Sequence, residues 1–384
     1  MTLLAKCPQF AENATQFGKR EKRRLARRAG VPAVLSNHGK KFCPFQKIFR
    51  ESRYNAGNTA KAPPHLQTDD GNTPMEHKKL QTFDSTLRDG AQGANISFSV
   101  EDKLHVIDAL DRLGIDFIEA GNPYSNPAEA EFFQRIRGKK LEHAKIVAFG
   151  STRRKGIAPE EDANLKSLLA ADTQYCAIFG KSHIRHVTDV LKAEPEENLA
   201  MIGDSVRFLA AHGKKVVFDA EHFFDGFKTD EDYAMRALAA AHDAGASVLC
   251  LCDTNGGIFP DEAYAITKKV CDAFPAVTVA IHCHNDGGLA VAASVEAVRA
   301  GAAQVQGTFL GFGERCGNTN LCTLICNLQL KRGYECIPPE HLKDIYETAM
   351  TLAETANAAI PANSPYVGMN AFAHKAGMHA DGVL

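Results

Sequence analysis

The stretch KVVFDAEHFFDGFKTDEDYAMRALAAAHDAGASVLCLCDT, residues 215–254, decides the fold. It opens on one near-continuous apolar run, KVVFDAE (215–221), and closes on another, SVLCLCDT (247–254). Between them apolar residues recur at helical spacing, and that pattern stops at Gly245. A strand that is apolar on both faces needs cover on both, which a parallel sheet flanked by helices provides. The same unit repeats outward in each direction. Upstream lie LQTFDST (80–86), DFIEAG (116–121), KIVAFG (145–150) and YCAIFG (175–180); downstream lie VTVAIHCHN (277–285) and AQVQGTF (303–309). Helical patterns such as VEDKLHVIDALDRLG (100–114) and GLAVAASVEAVRAG (288–301) separate them. Eight strand–helix units in about 250 residues predict a (β/α)₈ TIM barrel. An open doubly wound sheet competes, but it gathers ligand groups at one switch point, and here polar residues follow nearly every strand.

Helix ends are legible too. Ser99 with Asp102 three residues on predicts a capping box. Gly114, Gly213, Gly245 and Gly301 stand where left-handed C-terminal residues belong. Pro338 and Pro339 open a further helical stretch after the barrel. The chain thus divides into a leader (1–74), a catalytic barrel (75–334) and a short C-terminal helical extension (335–384). The last reads as the start of a linker and C-terminal subdomain, cut short at Leu384.

The leader carries 14 Lys/Arg against 5 Asp/Glu, a net +9, centred on KREKRRLARR (Lys19 to Arg28). The remainder is net −11, so the overall −2 conceals an asymmetry. Lacking sustained periodicity, residues 1–74 are expected to be disordered. They could serve as an organelle leader, as a basic arm, or not at all; deletion is expected to leave activity unchanged. The near-neutral whole, with pI about 6.7, points away from nucleic acid and membranes as partners. Eleven cysteines, an odd number without C-x-x-C pairs, fit a reduced, cytoplasmic protein. Cys250, Cys252, Cys322 and Cys326 read as core thiols, and His242, Phe223 and Phe224 as packing.

In a TIM barrel the strand C-termini build the active site. Here they read DSTLRDGAQ (84–92), EAGNP (119–123), DAEHFFDG (219–226), CDTNGG (252–257) and HCHND (282–286), followed by GFGERCGN (311–318). Strand alternation places His282 and His284 on one face with Cys283 on the other. Two imidazoles with a nearby carboxylate suit a divalent metal, Mn²⁺, Mg²⁺ or Zn²⁺, with positions open to substrate. Asp84 and Asp89 are both candidate third ligands on spacing alone. GFGERCGN breaks the dinucleotide spacing and follows the last strand, which disfavours NAD but suits a phosphate-bearing ligand such as coenzyme A.

FDSTLRDGAQG (83–93), DFIEAGNP (116–123), IHCHNDGGLAVA (281–292) and VQGTFLGFGERCGN (305–318) together resemble the metal-dependent Claisen-condensing barrels. These are the 2-isopropylmalate, homocitrate and citramalate synthases, related to hydroxymethylglutaryl-CoA lyase. IFGKS (178–182), DAEHFFDGFK (219–228) and LCDTNGG (251–257) make the chain most similar to the citramalate synthase branch. The resemblance implies condensation of acetyl-CoA with pyruvate in isoleucine biosynthesis, with a homodimer as the working form. It implies Asp89, His282, His284 and Asn318 as metal ligands and leaves Asp84 a structural part. Arg88 would bind the keto oxygen, with Glu119 as its partner in the substrate-binding set. Gln92 and Thr254 match positions lining the keto-acid pocket, and Glu221 or His379 is the implied base. The chain departs from the family at Leu310, where Asn is usual, and at His183, where Trp is common.

Overall fold

The computed structural model describes residues 78–373. Eight parallel strands close into a barrel in sequence order. They are β1 (Gln81–Asp84), β2 (Phe117–Gly121), β3 (Lys145–Ser151), β4 (Tyr175–Lys181), β5 (Lys215–Glu221), β6 (Val248–Asp253), β7 (Thr278–Cys283) and β8 (Gln304–Gly307). Closure is made where β1 pairs with β8, Gln81 against Gln304 and Asp84 against Gly307. The helices that follow the strands are α1 (Val100–Leu113), α2 (Pro127–Ile136), α3 (Ala163–Ala170), α4 (Pro195–Ala211), α5 (Glu231–Asp243), α6 (Pro260–Ala273), α7 (Ala290–Ala300) and α8 (Leu321–Arg332). This is the architecture the strand–helix alternation predicted, and the open sheet is excluded.

Period-two alternation sorts each strand. Along β5, Val216, Phe218 and Ala220 are buried against the helices, while Val217 joins Phe83, Phe117, Val147, Tyr175, Ala177, Val248 and Ala280 inside the barrel. A barrel interior filled this way is a core, not a pore. One step further along the same strands the inward side chains turn polar, and that places the site.

The helix signals act as expected. Ser99 Oγ accepts from Asp102 N–H at 3.2 Å while Asp102 accepts from Ser99 N–H at 2.9 Å. Gly114 ends α1 at φ 96°, and a Cβ there would lie 2.3 Å from Pro338 Cδ, so glycine is required on both counts. After α8 a two-residue ladder pairs Lys78–Lys79 with Tyr334–Glu335. The extension then begins as a 3₁₀ turn, Pro339–Asp344, before α9 (Ile345–Thr355) packs on α1. Among the described residues no helix is long and apolar enough to cross a membrane. The leader 1–74 and His379 lie outside the described residues.

Candidate active site

The turn after β1 fixes the first group. Asp84 accepts from the N–H and the hydroxyl of Thr86, each at 2.9 Å. Arg88 and Gly90 N–H both donate to Ser85 O, at 3.1 and 3.0 Å. This tight loop leaves Asp84 as its internal brace and points Asp89 to the mouth, so the structure separates the two carboxylates that spacing had left equivalent. Burial pushes the Asp84 carboxyl up to about 7. Burial also opposes ionisation of Asp89, but the Arg88 charge and a hydrogen bond from His282 prevail and hold it well below the carboxylate range.

Opposite stand the two imidazoles. His282 Nε2 is 3.3 Å and His284 Nε2 3.7 Å from Asp89 Oδ2. One donor atom from each of the three lies within 4.8 Å of the others. Cys283 is buried away from the cavity, as alternation required. Asn318 is held beside His284 by a backbone bridge, and its Nδ2 donates to Phe312 O at 3.0 Å. The glycines of the last loop allow this approach: a Cβ on Gly313 would come within 2.2 Å of Asn318 Nδ2. Asp89 Oδ1, His284 Nδ1 and Asn318 Oδ1 are buried with no hydrogen-bond partner among the described residues. Orphaned acceptors of this kind are costly. A divalent cation would satisfy the Asp89 and Asn318 oxygens, and a carboxylate, two imidazoles and an amide oxygen are chemically fit to hold one. Burial, with His282 adding repulsion, pushes the His284 imidazole down to about 4, which keeps it neutral as a ligand must be.

Arg88 is fixed from three sides. Its Nε donates to Glu119 Oε2 at 2.6 Å, its Nη1 lies 3.2 Å from Asp89, and its guanidinium sits 3.9 Å over the Phe149 ring. Glu119 also accepts from Ser85 Oγ at 2.5 Å. Glu119 was expected in the substrate-binding set; it is fully buried behind Arg88 and does not line the cavity. Its geometry is that of a support for the arginine.

The cavity has a volume of about 270 Å³. Arg88, Asp89, Gln92, Glu221, Thr254, His282 and His284 line it, so seven of the anticipated residues share one space. Glu221 forms an ion pair with Lys181, the residue beside it on β4. Thr254 Oγ1 accepts from His222 N–H at 2.9 Å. Gln92 stands exposed at the rim. Phe149, Phe179, Asp219 and Arg315 line the same space without having been anticipated there. Asp219 was within reach of sequence reasoning, because alternation puts it on the face of Glu221. Arg315, whose Nε donates to Asp286 at 2.8 Å, was not, since its partner is 29 residues away in another loop.

The HMGL-like family model matches residues 79–353. An (R)-citramalate synthase of Aquifex aeolicus is 51% identical over 307 residues, 80% of this chain and 58% of that protein. A 2-isopropylmalate synthase of Sulfolobus acidocaldarius is 35% identical over 310 residues, covering 81% and 77%. The chain therefore spans less than three fifths of the length of the citramalate synthases it matches. An HMG-CoA lyase structure from Bacillus subtilis superposes with a TM-score of 0.63 at 20% identity, over 74% of this chain and 96% of the other. With the family model spanning the whole barrel and the geometry of its mouth, this chain belongs to the HMGL-like family.

Proposed function

We propose that this barrel condenses acetyl-CoA with pyruvate to give citramalate and CoA. The observation that carries the reading is the convergence of Asp89, His282 and His284 beside the clamped Arg88. The 51% and 35% identities favour the pyruvate reaction over that of the branched acid. Asp89, His282, His284 and Asn318 would hold a divalent cation, which when bound would supply Lewis acidity to the keto carbonyl.

The chain's own groups do the rest. Arg88, fixed before substrate arrives, offers positive charge where the keto oxygen becomes an alkoxide. Glu221 is the candidate to take a methyl proton from acetyl-CoA, and its ion pair with Lys181 orients the carboxylate. His379 is the second candidate base. The new C–C bond joins the acetyl methyl carbon to the keto carbon, and water then cleaves the thioester to release the diacid and CoA. Phe149 and Phe179 give the cavity an apolar wall for the pyruvate methyl. The same reading places the chain in isoleucine biosynthesis, in the cytoplasm, as a homodimer. The divalent metal could be Mn²⁺, Mg²⁺ or Zn²⁺, because a mixed shell of this kind does not select sharply.

Thiol release from acetyl-CoA tests this with pyruvate and 3-methyl-2-oxobutanoate offered in parallel. Release with pyruvate, abolished by chelator, is expected. Preference for the branched acid would reassign the chain as a 2-isopropylmalate synthase. Silence with both, while metal still binds, would leave a metal-binding barrel that is inactive at this length. Selectivity between the acids is worth only about 1–3 kcal/mol per methyl-sized difference.

A further inference from the structure

A second cluster of metal-ligating side chains lies deeper in the barrel. Asp219, Cys250 and Cys252 point inward from the neighbouring strands β5 and β6, and one donor atom from each falls within 4.8 Å of the others. The two sulfurs are 4.0 Å apart. Two thiolates on one tetrahedral zinc, at about 2.3 Å each, stand roughly 3.8 Å apart, so the pair needs almost no movement. Asp219 is 5% exposed, and its Oδ1 has no hydrogen-bond partner among the described residues. Asp219 and Cys252 both line the cavity, so an ion has a path in. Cys252 is also paired in register with His282, which sets the cluster one strand from the Asp89 site.

We propose that Asp219, Cys250 and Cys252 form a second metal site, selective for thiophilic ions such as Zn²⁺ and Cd²⁺. The chemistry of the donors separates the two sites. Two thiolates and a carboxylate favour soft ions, whereas the mouth offers nitrogen and oxygen. Packing alone accounts for two buried cysteines on one strand; it does not account for a buried carboxylate turned toward the Cys250 thiol with its Oδ1 otherwise unpartnered among the described residues. Loading requires deprotonation, M²⁺ + 2 RSH + RCOOH giving M(SR)₂(OOCR)⁻ + 3 H⁺. Burial holds the Cys250 thiol well above its ordinary range and the Asp219 carboxyl up to about 7. Binding therefore strengthens as pH rises, and the resulting single negative charge faces Arg88. The site depends on no assumption about the substrate taken at the mouth.

Cadmium titration of the full chain, stripped with chelator and then saturated with Mg²⁺, tests the proposal. The readout is the ultraviolet thiolate-to-cadmium absorption, with proton release followed in weak buffer. One tight ion with thiolate absorption is expected, bound about tenfold or more weaker in Cys250→Ser, Cys252→Ser and Asp219→Asn, and unchanged in Asp89→Asn. Circular dichroism checks each variant, and Asp219→Asn serves if the serine variants do not fold. Two results would overturn the proposal: wild type without the absorption, or absorption kept in Cys250→Ser and Cys252→Ser but lost in Cys322→Ser. The last would place the ion at the other buried thiol group, where Cys322 neighbours Cys326.

Discussion

The two ends of this barrel's interior are built from the same strands and do opposite work. Along β7 the inward positions read Ala280, then His282, then His284 just past the strand; along β5 they read Val217, Asp219 and Glu221. The first of each belongs to an apolar layer with Phe83, Phe117 and Tyr175. The later ones are ionisable and converge on the cavity. A single period-two step along a strand, about 7 Å, thus separates the groups that stabilise the fold from those that carry charge. The aromatic layer offsets the cost of keeping Arg88, Asp89 and Glu119 nearly dry above it.

That division can be broken from either side. Asp89→Asn should lower turnover by roughly a thousandfold while thermal unfolding hardly moves, because it removes the carboxylate that both histidines face. Steady-state rates and melting curves on one preparation check this. Phe83→Ala should do the reverse, with a loss of about 3–5 kcal/mol of stability read from denaturant unfolding. Turnover per folded molecule should stay within about twofold, since the ring touches the floor and not the cavity.

Asp84 sharpens the comparison, being a buried carboxyl five residues from Asp89 with the opposite electrostatics. Its folded value of about 7 lies above its ordinary 3.8, so the folded chain keeps a proton that the unfolded chain gives up. Stability from that proton is complete below about pH 4 and is lost as pH rises through 7. Asp84→Asn should flatten this fall by on the order of 2 kcal/mol, with little change in turnover. Unfolding curves at pH 5 and pH 8, on both proteins, check the sign.

Much of this was legible in the sequence because strands and helices announce themselves by period. Six of the eight strands fall within the predicted apolar runs and the other two overrun theirs by one residue, and the capping box at Ser99 and the left-handed glycine at 114 lie where their residue types demand. The site was legible in part for the same reason, since polar groups at strand ends share a mouth once the barrel closes. Pairings across strands were not legible. Lys181 meets Glu221 only because β4 and β5 are adjacent and in register, and Phe149 lies under Arg88 only because β3 faces the first loop. In sequence Glu119 reads as the partner of Arg88 in the substrate-binding set; its Oε2 lies 2.6 Å from Arg88 Nε, while full burial keeps it off the cavity. Asp84 and Asp89 could not be told apart by spacing, because the difference lies in which way one short turn directs them.

Asp89, His282 and His284 are proposed to hold a divalent cation on which a 2-oxo acid docks beside Arg88. Electron paramagnetic resonance of Mn²⁺ bound to the full chain tests it directly. One bound ion is expected, with a spectrum that changes on adding pyruvate and with that ion lost in Asp89→Asn and His282→Ala. Binding retained in both variants, or a spectrum indifferent to pyruvate, would contradict it.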